Sequence, residues 1–196
     1  LLAYDIAKRE REILSKIHYD EGYSLYIGIP FCPTTCLYCS FTSYSIASCR
    51  NKVDDYLSAL EKEIDYVAEA FKDKTLDSIY IGGGTPTTLE AEQLDRLLSY
   101  VAKKIDLSTS LEYTVEAGRA DSITRAKLEV LKKHGVTRIS VNPQTMKEET
   151  LKLIGRRHTV EQVKEAFALA REIGFDNINM DLILGLPNET KEDVAE

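Results

Sequence analysis

The chain has 196 residues, a formal net charge of −7 and 43% hydrophobic residues, which suits one globular domain with a substantial core. The acidic balance argues against a nucleic-acid partner, because phosphate contacts need clustered lysine and arginine. No apolar run is long enough to span a bilayer and no signal peptide is visible, so we expect no membrane partner and a cytoplasmic location.

The first residues predict a helix over Leu1–Ile17. We expect residues 1–22 to be a helical lead-in that continues from a truncated upstream region. Residues 23–196 are expected to form the main domain, truncated before its last units. Thr190 and Asp193 are typical of the first turn of a further helix, so we expect the chain to be a piece of a longer protein.

Segments of strand length alternate with amphipathic segments along the chain. The predicted strands are Ser24–Ile29, Ser78–Ile81, Leu111–Val115, Arg138–Val141 and Asn177–Leu182. Apolar spacing or end signals predict helices over Val53–Phe71, Leu94–Val101, Ser122–His134 and Thr159–Gly174. This alternation predicts an α/β fold with a parallel sheet and right-handed crossovers. Its closure, doubly wound or an incomplete (β/α) barrel, stays open from the pattern alone.

Unusual residues lie at or just beyond the carboxyl end of every predicted strand. In chain order they are three cysteines, the segment GGGTPT (Gly82 to Thr87), Glu116, the segment Asn142–Gln144, and Asp181 near the end of the fifth strand. Because the carboxyl ends of parallel strands lie on one edge of the sheet and carry the active site, these residues are expected to meet there.

Cys32, Cys36 and Cys39 place three thiols on one short loop after the first strand. Iron–sulfur clusters take thiolate ligands, and three thiolates on a four-iron cubane leave one iron open to a small molecule. A structural zinc site needs four ligands, and neither Cys49 nor His18 has the spacing of a zinc finger. The other alternative is a buried cysteine pair with a third, unrelated thiol. Cys49 itself is expected at the start of a helix.

The segment YIGIPFCPTTCLYC resembles the cluster loop of the radical S-adenosylmethionine (SAM) enzymes. The segments GGGTPT, RISVNPQTM, LKLIGRRHT and NINMDLILGLPNET extend the likeness from Tyr23 to Thr190 and are similar to the oxygen-independent coproporphyrinogen III oxidase group. NPQTM with IGRRHT is most similar to the Gram-positive coproporphyrinogen dehydrogenase-like branch. The resemblance implies an incomplete parallel (β/α) barrel of the radical SAM type with about five to six βα units.

The same resemblance implies a [4Fe-4S] cluster on the three cysteines and SAM bound to the open iron. One electron splits SAM into methionine and a 5′-deoxyadenosyl radical, which takes a hydrogen atom from the substrate. The implied reaction is oxidative decarboxylation of coproporphyrinogen III to protoporphyrinogen IX in haem biosynthesis, with an electron donor such as a flavodoxin or ferredoxin. No catalytic side chain is implied beyond the cluster ligands, because the cofactors carry the chemistry.

The resemblance also assigns cofactor contacts. Gly83 is implied to hold the methionyl amino group, with Gly84 and Thr85 lining the site. A plain strand-to-helix turn is the alternative, as is a phosphate loop that lacks the Walker lysine. The other implied SAM contacts are Tyr26, Tyr38, Glu116, Gln144, Arg156 and Asp181.

These assignments have ordinary alternatives. A guanidinium such as Arg156 suits a carboxylate of SAM, and a strand-end carboxylate such as Asp181 suits ribose hydroxyls. Arg156 is otherwise a surface charge on a helix, and Asp181 a capping or loop residue. Tyr26 and Tyr38 are equally compatible with core or surface positions.

Two positions depart from the oxidase pattern. Gly28 stands where the oxidases have a histidine, and Phe41 stands where they have a fourth cysteine. The ending CSF is shared with relatives that resemble haem chaperones. Three hypotheses follow: a coproporphyrinogen oxidase, a haem-binding or haem-transfer protein on the same scaffold, and a radical SAM methyltransferase or other tetrapyrrole-modifying enzyme.

Overall fold

The computed structural model describes residues 2–17 and 20–195, and a five-stranded parallel sheet lies at its centre. The strands are β1 (Gly22–Ile29), β2 (Phe31–Cys32), β3 (Tyr44–Ser45), β4 (Thr75–Gly83), β5 (Glu112–Glu116), β6 (Arg138–Ser140) and β7 (Asn177–Asn179). The helices are α1 (Leu2–Leu14), α2 (Ile46–Cys49), α3 (Val53–Ala70), α4 (Ala91–Lys104), α5 (Arg125–Lys133), α6 (Glu148–Leu153), α7 (Val160–Ile173) and α8 (Lys191–Ala195). None of the described helices is long and apolar enough to cross a bilayer.

The strand order of the main sheet is β1-β4-β5-β6-β7, and every neighbouring pair is parallel. This order follows the chain without reversal, whereas a doubly wound sheet reverses at a switch point. The helices form one layer, since α3 contacts α4, α4 contacts α5 and α5 contacts α7. Within the described residues β1 and β7 are the two edges, so the predicted parallel sheet is confirmed as a partial barrel rather than a doubly wound sheet.

The core lies between the sheet and this helix layer. Alternate residues of the strands, including Ile27, Ile79 and Ile139, are buried against the helices. Leu57 of α3 and Leu97 of α4 belong to the same cluster. Complete burial of one such aliphatic side chain stabilises the fold by about 1.5–3 kcal/mol, so this face of the sheet carries most of the packing energy.

The bounds of β1, β5 and β6 lie within one or two residues of the prediction, whereas β4 and β7 differ more. β4 begins three residues before Ser78 and ends two residues after Ile81, because its flanking residues pair with the full length of β1. β7 ends at Asn179 rather than Leu182, and beyond it only an isolated bridge joins Leu182 to Gln144. Asp181 therefore lies two residues beyond the strand and not within it.

The sequence signals at both ends of α7 are confirmed. The capping box of Thr159 with Gln162 is present at the start of α7, and Gly174 ends that helix with a φ of 98°. In contrast, α5 begins at Arg125 rather than Ser122, because the Thr124 side chain accepts from the Lys127 amide and a 3₁₀ turn occupies Ala120–Ser122.

The position predicted for Cys49 is confirmed in part. This residue ends α2 and is also the N-cap of the 3₁₀ turn Arg50–Lys52, and its side chain packs against the hydrophobic core. The short helix α2 and the 3₁₀ turn Arg50–Lys52 together lead into α3.

Candidate cofactor site

The cysteine loop begins where β1 ends and is fixed by its own small sheet. Phe31 and Cys32 form β2, which pairs in parallel with Tyr44 and Ser45 of β3. The Tyr44 amide also donates to the carbonyl of Pro30 at 2.8 Å. These bonds tie the two ends of the cysteine loop together, so that Cys36 and Cys39 project from a closed turn.

The far side of the loop is held by the chain that follows α6. The Leu37 amide donates to the carbonyl of Ile154 at 3.0 Å, and the Thr34 hydroxyl donates to the carbonyl of Gly155 at 3.1 Å. Gly155 has a φ of +81°, and a Cβ there would lie 3.2 Å from the carbonyl oxygen of Thr35. Glycine is therefore required at this position both for its backbone conformation and for the close approach of the loop.

The three thiols are free and half-buried. Thr85 Oγ1 donates to Cys32 Sγ at 3.5 Å, and the Arg119 guanidinium donates to Cys36 Sγ at 3.5 Å. Donors aimed at sulfur suit thiolates, which carry negative charge. Three soft sulfur ligands on one backbone turn fit the donor set of an iron–sulfur cluster.

The geometry does not favour a single metal ion. Across residues 2–17 and 20–195, no three histidine, cysteine, aspartate or glutamate side chains are grouped to hold one ion. A tetrahedral zinc site needs four ligands around one centre, whereas the cysteines of a cubane bind separate irons. Of the two fourth ligands considered for zinc, Cys49 packs against the core, and His18 lies outside the described residues.

The glycine segment at the end of β4 supports the cysteine loop. The amides of Gly84 and Thr85 donate to the carbonyls of Ile29 and Phe31, each at 2.7 Å. A Cβ on Gly84 would lie 2.6 Å from the Phe31 carbonyl oxygen. Because these two amides are engaged by the backbone, the segment does not present the cradle of free N–H groups that a phosphate loop needs.

Glu116 lies at the end of β5 beside two tyrosines. Tyr80 Oη donates to its carboxylate at 2.5 Å. Tyr26 stacks on Tyr80 with ring centroids 6.0 Å apart and is 57% exposed. Burial raises the pKa of Glu116, and the hydrogen bond from Tyr80 opposes that rise. A Cβ at Gly82 would lie 2.7 Å from the Tyr80 ring, so glycine there makes room for the pair.

Arg156 is only 7% exposed and joins three of the strand-end segments. Its Nη1 donates to the carbonyls of Gly118 and Asn142 at 3.0 and 2.8 Å, and its Nε and Nη2 donate to Tyr38 Oη at 3.2 and 3.0 Å. Among the described residues no carboxylate pairs with it. A buried cation without a counter-ion is costly, so the site is suited to an anionic ligand.

Burial raises the pKa of Tyr38, and the neighbouring Arg156 opposes that rise. Its hydroxyl therefore stays protonated and can accept from the guanidinium while it donates elsewhere. The nearby Cys36 also raises this pKa, and the Tyr38 hydroxyl links the cysteine loop to Arg156.

Gln144 and Asp181 lie side by side beyond β6 and β7. The Gln144 amide donates to the Asp181 carbonyl at 2.9 Å, and Gln144 has a φ of 66°, which is uncommon for a residue with a side chain. The Asp181 carboxylate accepts from Asn142 Nδ2 at 2.8 Å and from Asn179 Nδ2 at 2.7 Å. Two amides thus hold one exposed carboxylate in a fixed orientation.

The predicted residues fall into neighbouring groups at one edge of the sheet. The cysteine loop, Thr85, Tyr38 and Arg156 form the first group, while Tyr26, Gly83 and Glu116 form the second. Gln144 and Asp181 form a third, linked to the first through Asn142, which contacts both Arg156 and Asp181. Gly84 lies beside the first group and packs against the backbone of Ile29 and Phe31, where the cysteine loop begins.

Sequence reasoning missed Arg119 and Tyr80. Arg119 follows Glu116 by three residues, and a charged residue so soon after a predicted strand was an available signal. Tyr80 is separated from Glu116 by 36 positions, and only the strand register brings them together. The sequence places Asn142 at a strand end but does not indicate a role for it.

Comparisons with known proteins identify the family of the chain. Residues 26–196 match the family model described as the radical SAM superfamily. The chain is 49% identical over 193 residues to the oxygen-independent coproporphyrinogen-III oxidase-like protein HemZ of Bacillus subtilis, covering 96% of this chain and 38% of that protein. It is 44% identical over 168 residues to the heme chaperone HemW of the same organism, covering 85% of this chain and 44% of that protein.

Among solved structures, the coproporphyrinogen III oxidase HemN of Escherichia coli matches with a TM-score of 0.81 and 34% identity. The match covers 89% of this chain and 40% of that structure. The chain therefore spans less than half the length of the relatives it matches.

Proposed function

The chain belongs to the radical SAM superfamily, and from that premise we propose that it holds a [4Fe-4S] cluster and uses it with SAM to act on a tetrapyrrole. Proteins of this superfamily use both cofactors. The observation that carries the proposal is the cysteine loop itself: three free thiols lie on a backbone turn that is bonded to the ends of β4 and α6, within contact of Thr85 and Arg119.

Cys32, Cys36 and Cys39 would hold the cluster, which supplies the one-electron cleavage of SAM to methionine and a 5′-deoxyadenosyl radical. The buried cation of Arg156 would attract the SAM carboxylate. The Tyr38 hydroxyl, which accepts from Arg156, would then be displaced by that carboxylate or would bridge the two groups. Asp181, held by Asn142 and Asn179, is oriented to accept from ribose hydroxyls.

Glu116 and Gly83 would contact the amino end of SAM. The carboxylate of Glu116 is already oriented by Tyr80, so it needs little reorganisation when a cationic amine binds. Tyr26 stands exposed beside this pair, and Gln144 lies next to Asp181. We propose that both line the same SAM pocket.

The proposed reaction is oxygen-independent oxidative decarboxylation of coproporphyrinogen III. Each of two propionates would lose a hydrogen atom, CO2 and one electron to leave a vinyl group. A flavodoxin or ferredoxin would supply the electron for SAM cleavage, and a separate acceptor would take the electron released from the substrate. Similarity to HemZ and HemN supports this substrate class.

Two positions favour a second candidate, a haem-binding chaperone. Gly28 and Phe41 replace the histidine and the fourth cysteine of the oxidase pattern, and the relative named HemW is a heme chaperone. The site of Gly28 is not crowded, since a Cβ there would meet only the Tyr26 ring at 3.6 Å. Glycine at position 28 is therefore not required by packing against its neighbours.

The deciding experiment is anaerobic. The full-length protein is reconstituted with iron and sulfide, reduced with dithionite and supplied with SAM, and 5′-deoxyadenosine is quantified with and without coproporphyrinogen III. Nucleoside formation that the porphyrinogen stimulates, with release of CO2, is the expected result. Slow, unstimulated cleavage would move the proposal to another substrate or to methyl transfer. No cleavage by protein with a full cluster, together with stoichiometric haem uptake without SAM, would establish the chaperone instead.

The chain offers a matched pair of cysteine variants. Cys36→Ala removes a proposed ligand and should abolish both the cluster absorbance and the cleavage of SAM. Cys49→Ala removes a thiol that packs against the core and should leave cluster content unchanged. Equal cluster content in the two variants would contradict the assignment of the ligands.

A further inference from the structure

Arg119 is a buried guanidinium whose every N–H has a partner. It is 3% exposed. Nε and Nη2 form a two-pronged contact with the Asp121 carboxylate at 3.1 and 2.9 Å. Nη2 also donates to Thr34 Oγ1 at 3.0 Å, and Nη1 donates to the Thr34 carbonyl at 3.3 Å and to Cys36 Sγ at 3.5 Å. These bonds account for all five donors of an arginine side chain.

Asp121 fixes the orientation of the Arg119 side chain. Asp121 is held in the same turn, two residues along the chain, and its carboxylate fixes the plane of the guanidinium. The opposite edge of that plane therefore points at the cysteine loop. A lysine could not reproduce this arrangement, because an ammonium has three donors on a flexible stem and no planar fork.

The charge of Arg119 acts on the thiols directly. Its Nη1 donates to Cys36 Sγ at 3.5 Å. A donor and a positive charge beside a thiolate stabilise negative charge on the sulfur. For an iron–sulfur cluster, hydrogen bonds to the sulfurs and the local charge are the levers that set the reduction potential.

We propose that Arg119 is a positioning residue that raises the reduction potential of the cluster through its contact with Cys36 and fixes the loop through Thr34. This inference rests on the proposed function only in requiring that the three cysteines hold a cluster. It assigns to this arginine a role distinct from that of Arg156, which contacts Tyr38 and backbone carbonyls but no cysteine sulfur.

The test is a redox titration of the reconstituted full-length protein, without SAM or substrate, monitored by the EPR signal of the reduced cluster. Arg119→Met removes all five donors and keeps an unbranched stem. At the midpoint potential of the unaltered protein, the ratio of reduced to oxidised cluster should fall about tenfold in this variant, which corresponds to about 59 mV for a one-electron couple. Arg119→Lys should shift in the same direction by less.

Two controls separate the electrostatic effect from a structural one. Thr34→Val removes the hydroxyl acceptor on the loop but leaves the Arg119 contact with Cys36, so its potential should match that of the unaltered protein. Arg125→Met removes an exposed arginine that pairs with Glu172 and should also leave the potential unchanged.

The outcomes are distinguishable. An Arg119→Met protein with full cluster content and an unshifted potential would overturn the inference while leaving the proposed function intact. A Thr34→Val shift as large as that of Arg119→Met would also overturn it, because loop position alone would then set the potential. If Arg119→Met takes up no cluster, the direction and size of the Arg119→Lys shift decide the question. Failure of the unaltered protein to hold a cluster would overturn both proposals.

Discussion

The parallel sheet has a convex face, which packs against the helices, and a concave face on the opposite side. Alternate residues of the same strands form the two faces. On β4, Ile79 and Ile81 face the helices and are buried in the core, while Ser78 and Tyr80 face the other way and bond to side chains of β1 and β5. Parallel sheets are usually covered on both faces and are apolar on both. A polar concave face therefore marks this side of the sheet as the lining of a ligand site.

The concave face also carries its own network of charges. Arg138 of β6 donates to Glu112 of β5 at 3.3 Å and to Asn179 of β7 at 3.0 Å. Asn179 in turn donates to Asp181 at 2.7 Å. Stability thus comes from the convex face, and the orientation of the proposed SAM contacts comes from the concave one.

A pair of substitutions at neighbouring positions of β4 gives the largest expected effect. Ile81→Ala removes a buried side chain from the convex face and should lower the free energy of unfolding by about 2–5 kcal/mol. Tyr80→Phe removes one hydroxyl from the concave face and should cost at most about 1.5 kcal/mol, yet weaken SAM binding through Glu116. Denaturant titration and SAM binding measure the two effects. Equal destabilisation by both variants would contradict the assignment of stability to the convex face and of ligand contacts to the concave face.

His158 is a buried polar side chain that lines the same cavity as Arg156. It is 2% exposed, and neither ring nitrogen has a hydrogen-bond partner among the described residues. Burial, then repulsion from Arg156, lowers its pKa from 6.5 to about 4. The unfolded state therefore binds the proton first, and stability present above pH 6.5 is lost as the pH falls towards 4.

A shift of this size corresponds to roughly 3 kcal/mol, since one pKa unit is worth about 1.4 kcal/mol. The variant His158→Leu should remove that part of the loss between pH 6.5 and 4. Urea denaturation at several pH values measures the slope. An unchanged slope in the variant would show that other groups govern the acid sensitivity.

Local patterns were enough to predict the scaffold. The apolar segments of β1 and β4, the capping box of Thr159 with Gln162 and the end signal of Gly174 are short-range signals, and the structure contains each of them. The end of β7 could not be predicted in the same way. There the side chains of Asn142 and Asn179 bind Asp181, and these bonds compete with the backbone hydrogen bonds that would extend the strand.

The candidate site was predictable only in part. The strand-end rule placed Glu116, Gln144 and the cysteines at one edge, because that rule depends on chain order alone. The contact of Arg119 with Cys36 joins residues 83 positions apart. Such a pairing depends on the register of the sheet, which the sequence pattern of either segment does not contain.

Gly155 beside the cysteine loop and Gly135 after α5 have similar backbone conformations, so they allow a direct comparison of the site with the scaffold. Gly155 and Gly135 have φ values of +81° and +75°, so alanine at either position should cost about 1–2 kcal/mol. A Cβ at Gly135 meets no atom within 4 Å, whereas at Gly155 it would press on the Thr35 carbonyl. Gly155→Ala should therefore also reduce iron uptake, and Gly135→Ala should not. Equal iron content in the two variants would contradict the role of Gly155 in seating the loop.

The smallest expected effect concerns the cost of keeping Glu116 on the concave face. Burial raises its pKa above the ordinary value of 4.5, so the folded state binds a proton more readily than the unfolded state. The free energy of unfolding therefore falls as the pH rises through this window. Glu116→Gln removes the charge and should stabilise the protein slightly at pH 7, with a smaller gain at pH 4, where the raised pKa leaves less charge on the carboxyl.

The same variant should bind SAM more weakly, because an amide cannot pair with the amine of the cofactor as a carboxylate does. Thermal denaturation at the two pH values measures the gain in stability, and equilibrium binding of SAM to the reconstituted protein measures the loss of affinity. A variant that loses stability at pH 7 while keeping its affinity for SAM would make Glu116 a structural residue of the sheet. The concave face would then owe its polarity to the network of Arg138 and Asp181 rather than to a proposed contact with the cofactor.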